Sequence, residues 1–201
     1  VREQLSTLFY SHRAKPTAVH VVDQNLELAA AAGAANSVRW FPLPQGEPEG
    51  ELPPGPYVLA NPLAGWKSKQ WPLEHYHELA ATLKREWNLE MVINAGERIE
   101  IPGTWPYPSG LPGLIHATWR AEAVIGVDSG PLHLAAAFGK PGVAIFGPTD
   151  PARNGPYGNT FTVLRSSSSQ TTYKRAAETS ESMRAITPDQ VMAALKARLT
   201  Q

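Results

Sequence analysis

Apolar residues in this chain gather in short runs bounded by glycine, proline and polar turns, and two spacings alternate from run to run. Continuous apolar stretches at residues 18–23 (AVHVVD), 57–60 (YVLA), 91–94 (MVIN), 123–127 (AVIGV) and 142–146 (GVAIF) predict strands buried on both faces. Between them the apolar positions recur at helical spacing. Residues 26–32 (LELAAAA) predict a helix stopped by Gly33, and Pro72 opens one that puts Tyr76, Leu79, Ala80 and Leu83 on one face. Further helices are expected from about 111 to 120, over 131–138 with Gly139 as its stop, and from Pro188 onward with Val191, Leu195 and Leu199 on one side. Strands alternating with helices predict an α/β fold, a parallel sheet covered by helices.

Three stretches break the pattern. Residues 41–56 (FPLPQGEPEGELPPGP) lack the apolar content to pack and read as a linker. They divide the chain into a first segment, 1–41, a linker, 42–56, and a main domain, 57–201. Residues 99–109, rich in proline, glycine and tryptophan, read as loop, as does the Ser/Thr run at 166–172.

Composition narrows the function classes. Lys plus Arg and Asp plus Glu both number 18 in 201 residues, so no bulk field favours nucleic acid, and an anion must be bound by a local set of donors. Cysteine is absent, which excludes a disulfide framework and thiolate metal sites and fits a reducing compartment, the cytoplasm. No acidic pair is spaced as a metal site, and no run approaches the roughly 20 apolar residues of a spanning helix.

The chemistry concentrates where the strand at 123–127 meets the next helix, at Asp128-Ser129-Gly130-Pro131. In doubly wound sheets ligands collect at strand C-termini, where helices point free N–H groups and positive dipole ends. Asp128 or Ser129 is placed to cap the helix, Gly130 lets a ligand approach the backbone, and Pro131 has the φ of a first helical turn. His133, in that turn, is positioned to add a donor. An isolated motif of this kind is more often an ordinary capped helix, so the surrounding residues decide.

Residues 123–158 (AVIGVDSGPLHLAAAFGKPGVAIFGPTDPARNGPYG) closely resemble the C-terminal domain of the ADP-heptose:lipopolysaccharide heptosyltransferases, glycosyltransferase family 9. Residues 61–83 (NPLAGWKSKQWPLEHYHELAATL) resemble that family's strand, phosphate loop, Lys-x-Trp-Pro and helix, which carries its phosphate-binding lysine onto Lys69. Residues 10–33 look like the tail of its N-terminal domain. The resemblance implies a GT-B architecture of two Rossmann-like domains, this chain supplying the donor-binding half. It implies inverting transfer of heptose or a related sugar, without metal or cofactor, from an ADP-sugar to a lipopolysaccharide-core or similar glycolipid acceptor. That acceptor implies work at the cytoplasmic face of the inner membrane. The donor diphosphate and sugar would then meet Lys69, Asp128, Ser129, Gly130, Pro131 and His133. Glu100 aligns with a carboxylate that holds the nucleoside, although a solvated loop glutamate is an equal reading of it.

Three departures from the family stand out. The chain begins at Val1, not Met, and the domain expected before it would carry the acceptor site and the catalytic base, so it reads as an excerpt, inactive without that domain. The interval from Glu100 to Ser109 is about ten residues shorter than the family pattern, which implies the loss of a helix and a strand beside the base pocket. Relatives often carry several cysteines across the stretch matching 167–183, which in them ends in Cys-Met; here the matching pair is Ser182-Met183. Two other classes remain open: a nucleotide-sugar epimerase, which needs no acceptor, and a non-catalytic nucleotide-binding module needing a partner domain.

Overall fold

The computed structural model describes residues 10–36 and 38–200, and these form two compact units, up to Arg39 and from Trp40 onward. Among its described residues the first unit has one helix, α1 (Val21–Ala31), with no buried residue on it. The strand expected at 18–23 is therefore a correction: Val21, Val22 and Asp23 are helical, started by His20, whose Nδ1 accepts from Val22 N–H at 3.2 Å. Among the described residues the β-branched run has no neighbouring strand to pair with, so local helix formation prevails. Gly33, at φ 99°, follows the C-cap as predicted. Of the expected 1–41 segment, residues 1–9 and Ser37 lie outside the described residues.

The second unit is built on a six-stranded parallel sheet in the order β3-β2-β1-β4-β5-β6. Its elements are β1 (Tyr57–Asn61), α2 (Leu73–Trp87), β2 (Glu90–Ala95), β3 (Trp105–Pro108), α3 (Leu111–Arg120), β4 (Ala123–Val127), α4 (Gly130–Ala137), β5 (Gly142–Phe146), α5 (Pro151–Asn154), β6 (Phe161–Arg165), α6 (Glu181–Arg184) and α7 (Pro188–Leu199). Alternation along β1 divides the core between the two faces of the sheet. Val58 and Ala60 pack with Tyr76, Leu79 and Leu83 of α2 and Val191 and Leu195 of α7. Tyr57 and Leu59 pack with Ala117 of α3 and Leu132 and Ala135 of α4. Val58, Val92, Ile125 and Ile145, on four strands, are fully buried, as expected of strands covered on both sides. Gly142 is required by this packing, because a Cβ there would lie 2.1 Å from Val124 O.

Two strands and two short helices escape the apolar pattern. β3 lies inside the expected loop at 99–109; its Pro106 and Pro108 hide it, yet both are tolerated because β3 is an edge strand. The interval therefore keeps a strand after all. β6 forms the opposite edge, and its half-exposed alternation (FTVLR) lacks the buried signature of the inner strands. α5 is started by Asp150, whose side chain accepts from Ala152 N–H at 3.0 Å, and α6 by Ser180.

Residues 42–56, expected to lack the means to pack, are fastened to the second unit. Tyr107 Oη accepts from Glu49 N–H at 3.0 Å, Glu49 Oε2 accepts from Gly110 N–H at 2.6 Å, and Trp105 Nε1 donates to Glu51 O at 2.9 Å. Polar bonds, with Pro53 buried and Leu52 packed on the core, replace the apolar side chains that the sequence lacks.

Candidate functional site

The strand order 3-2-1-4-5-6 reverses direction between β1 and β4, which lie side by side with Asn61 opposite Gly126. A crevice at that point, beyond the strand C-termini, is where such sheets take ligands. The loop after β1 contains a tight 3-10 turn, Lys67–Lys69, and is anchored by the next residues of the chain. Trp71 is buried, donates from Nε1 to Ile186 O at 2.8 Å and stands edge-on to Tyr76 with ring centres 4.8 Å apart. The buried Ser68 accepts from Ser180 N–H through its carbonyl at 3.4 Å. The loop lysine is thus held by core packing on both sides in sequence.

Lys69 Nζ reaches Asp128 Oδ2 at 2.7 Å, joining the loop after β1 to the turn after β4. The side chains keep only 16% and 10% of their exposure, so the ion pair is shielded enough to matter. Thr149, buried in the turn after β5, donates from Oγ1 to the same carboxylate oxygen at 2.8 Å. Asp128 therefore does not cap α4. Nor does Ser129: it occupies the N-cap position with extended backbone (φ −154°, ψ 167°), and its hydroxyl donates to Val127 O at 3.2 Å instead. The sequence admitted either residue as the cap because both have the right oxygen; a lysine and a threonine from distant loops take one of those oxygens. Pro131 has no N–H and the Leu132 N–H donates to Ser129 O at 3.2 Å, so at the start of α4 it is the Gly130 N–H, with no side chain on it, that is left to face a ligand.

Gly130 is exposed, and a Cβ on it would meet nothing within 4 Å, so the space over the turn is open. Pro131 occupies the first helical turn, and His133 is exposed on the same turn. Lys69, Asp128, Ser129, Gly130 and Pro131 are thus gathered at one sheet edge. Glu100 stands apart, exposed on the β2–β3 connection and paired with Arg98.

A cavity of about 330 Å³ adjoins the turn, lined by Asn61, Asn94, Ser109, Leu111, Leu114 and Pro131 among others. Glu100 is not among its lining residues. Asn94 Nδ2 donates to Tyr107 O at 3.0 Å and to Ser109 Oγ at 2.7 Å, which fixes its Oδ1 toward Asn61 Nδ2 at 3.3 Å. Asn61 Oδ1 is left buried and without a partner. Neither asparagine nor Thr149 was assigned a site role from sequence. Thr149 was visible inside the Gly-Pro-Thr-Asp-Pro motif, but nothing local says that its hydroxyl crosses to Asp128. Among the described residues no group of three or more His, Cys, Asp or Glu is arranged to hold a metal ion, and no helix is long and apolar enough to cross a membrane.

Comparison with known proteins agrees with this architecture. The model of glycosyltransferase family 9 (heptosyltransferase) matches residues 1–98 and 109–184, omitting the shortened interval that holds β3. Lipopolysaccharide heptosyltransferase 1 of Pseudomonas aeruginosa is 32% identical over 173 residues, covering 78% of this chain and 48% of that protein. The Escherichia coli K12 protein of the same name is 28% identical over 194 residues, covering 82% and 56%. The chain thus spans about half the length of the curated relatives it matches. The solved E. coli heptosyltransferase WaaC with ADP shares the fold, with a TM-score of 0.70 at 21% identity over 98% of this chain and 62% of that one. By the extent of the family match, by its sheet and by the turn after β4, the chain belongs to glycosyltransferase family 9 and carries the Rossmann-like half of a GT-B glycosyltransferase.

Proposed function

We propose that this chain is the donor-binding half of a heptosyltransferase, which moves heptose or a related sugar from an ADP-sugar to a lipopolysaccharide-core or similar glycolipid. The observation that carries the reading is the Lys69–Asp128 pair, which spans the switch point beside the uncapped start of α4. A cation and the positive end of a helix with the Gly130 N–H at its start suit a nucleoside diphosphate as the leaving group, and such preorganised donors stabilise the charge that develops as the sugar leaves. In this reading Lys69, the Gly130 N–H at the start of α4 and His133 hold the diphosphate. Asp128, as a carboxylate, faces the sugar hydroxyls and not the phosphates.

The neighbouring cavity takes the nucleoside. Its leucine and proline walls suit the faces of a planar base, and the unpaired Asn61 Oδ1 offers an acceptor beside it. Glu100 remains a candidate for the ribose only if the β2–β3 connection closes over the ligand. Residues 1–41 belong to an acceptor domain, residues 57–201 form the donor domain, and the catalytic base comes from the acceptor side. The WaaC structure with ADP and the names of the curated relatives support this assignment. A glycolipid acceptor would bring the enzyme to the cytoplasmic face of the inner membrane.

Calorimetry with ADP, UDP and GDP tests the donor assignment. ADP is expected to bind tightest, with affinity unchanged by EDTA. Transfer from ADP-heptose, measured with the acceptor domain supplied, should require acceptor and invert the anomeric centre. Equal binding of all three nucleotides, or turnover of the sugar nucleotide without acceptor, would defeat the reading.

A further inference from the structure

The Lys69–Asp128 pair raises a question of charge. A sugar-nucleotide diphosphate brings two negative charges, yet the ammonium offered to it is already neutralised by a carboxylate at 2.7 Å. Thr149 adds a neutral donor to that carboxylate and no charge. Another cation is needed where the first one stands.

Trp66 shows where it lies. Lys69 Nζ stands over the Trp66 ring, 4.3 Å from its centre, and the Arg175 guanidinium stands over the same ring at 5.8 Å. Both distances fall within the range of cation–π attraction. One indole thus gathers the two charges to within about 10 Å of each other, close to one Debye length in physiological salt. Arg175 is exposed and forms no ion pair among the described residues, so its charge is uncompensated. It sits in the connection between β6 and α6, whose ends are tied down close by. Thr172 N–H donates to Pro148 O at 2.7 Å, one residue before Thr149, and Ser180 N–H donates to the carbonyl of Ser68, the residue before Lys69. Both ends of the segment are therefore bonded to the loops that hold the Lys69–Asp128–Thr149 cluster.

We propose that Arg175 is a second phosphate-binding cation of the donor site, with Trp66 as the aromatic platform that positions Arg175 and Lys69 toward one diphosphate. The inference rests on the donor-site reading above. Arginine suits the role because its fork of donors can meet two phosphate oxygens at once, whereas a lysine acts as a point charge. When the donor enters, Arg175 supplies the net positive charge that Lys69, shared with Asp128, does not.

Calorimetric titration of ADP, AMP and adenosine into wild type, Arg175→Ala, Arg175→Lys, Trp66→Leu and Lys69→Ala decides the matter. Arg175→Ala is expected to weaken ADP roughly tenfold, AMP less and adenosine not at all. It should also flatten the salt dependence of ADP binding. Arg175→Lys should recover part of the loss, and Trp66→Leu should weaken ADP in the same order of ligands. ADP affinity in Arg175→Ala within twofold of wild type, while Lys69→Ala is impaired, would overturn the role of Arg175 and leave the donor site standing. An equal loss for adenosine would assign Arg175 to structure instead. If wild type binds no ADP, or Lys69→Ala binds it unchanged, the donor-site reading itself fails and this inference with it.

Discussion

Replacing Asp128 by asparagine should strengthen ADP binding, the opposite of what its place in the donor site would suggest at first sight. Asparagine keeps the shape and leaves an amide oxygen for Thr149, whose hydroxyl donates to this side chain at 2.8 Å. It removes the carboxylate that holds Lys69 at 2.7 Å. A phosphate oxygen bonded to the far side of that ammonium would lie about 5 Å from the carboxylate, two charge-assisted hydrogen-bond lengths away. At an effective dielectric constant near 20, two like charges at that separation repel by about 3 kcal/mol. Residual exposure of 10–16% and salt reduce this to about 1–2 kcal/mol, or about a tenfold gain in ADP affinity. Lys69→Ala should instead lose roughly tenfold to a hundredfold, and adenosine should not distinguish the variants. The assay is calorimetry at two ionic strengths, with circular dichroism to confirm the fold. The double variant should lie near Lys69→Ala alone, because removing Asp128 helps chiefly by freeing the lysine. Weaker ADP binding by folded Asp128→Asn, by tenfold or more, would refute the charge argument and make Asp128 a direct diphosphate contact.

Four further outcomes are expected. Gly130→Val should fold normally, since its side chain enters open space, yet lose ADP affinity at least tenfold by filling the approach to α4, whereas Asp150→Ala should cost about 1 kcal/mol of stability as a lost cap and leave ADP binding alone; paired urea unfolding and calorimetry separate the two. Tyr76→Phe should be stabilising by about 1 kcal/mol, because the buried Tyr76 hydroxyl has no partner, while Tyr57→Phe should lose about 1 kcal/mol with the bond to Ala117 O at 2.8 Å; the opposite signs are read from urea midpoints. Burial pushes the Tyr57 phenol from 10.0 to about 12, so between those values the folded chain keeps a proton that the unfolded chain has lost. That contribution is complete below pH 10, falls by about 1.4 kcal/mol per pH unit and is gone near pH 12, so Tyr57→Phe should flatten the alkaline stability profile. Trp71→Phe should cost about 3 kcal/mol through the lost bond to Ile186 O and the unfilled volume, and should loosen the Lys69 loop enough to weaken ADP as well.

The sequence by itself determined the inner sheet. β1, β2, β4 and β5 are covered on both faces, so their buried runs carry the strand signal residue by residue, and the helices between them read from their apolar spacing. It also determined that the turn at Asp128 to Pro131 and the loop at Lys69 lie at one edge, because both follow strands of a parallel sheet. The edges were left to the tertiary structure. β3 exists because β2 offers it a ladder in spite of two prolines, and Val21 to Asp23, with no such neighbour among the described residues, coil into α1 in spite of the two valines. Strand character there is a property of the neighbour and not of the segment. The partners of the site side chains were decided in the same way. Asp128 had every local feature of a helix cap, but whether its oxygen serves its own backbone or Lys69 and Thr149 depends on three loops folding to one point. Arg175 meets Trp66 only because its connection is tied to the turns before Thr149 and Lys69. Periodicity reports which face of an element is buried; hydrogen bonds and ion pairs between loops depend on distances of a few ångströms that only the assembled sheet sets.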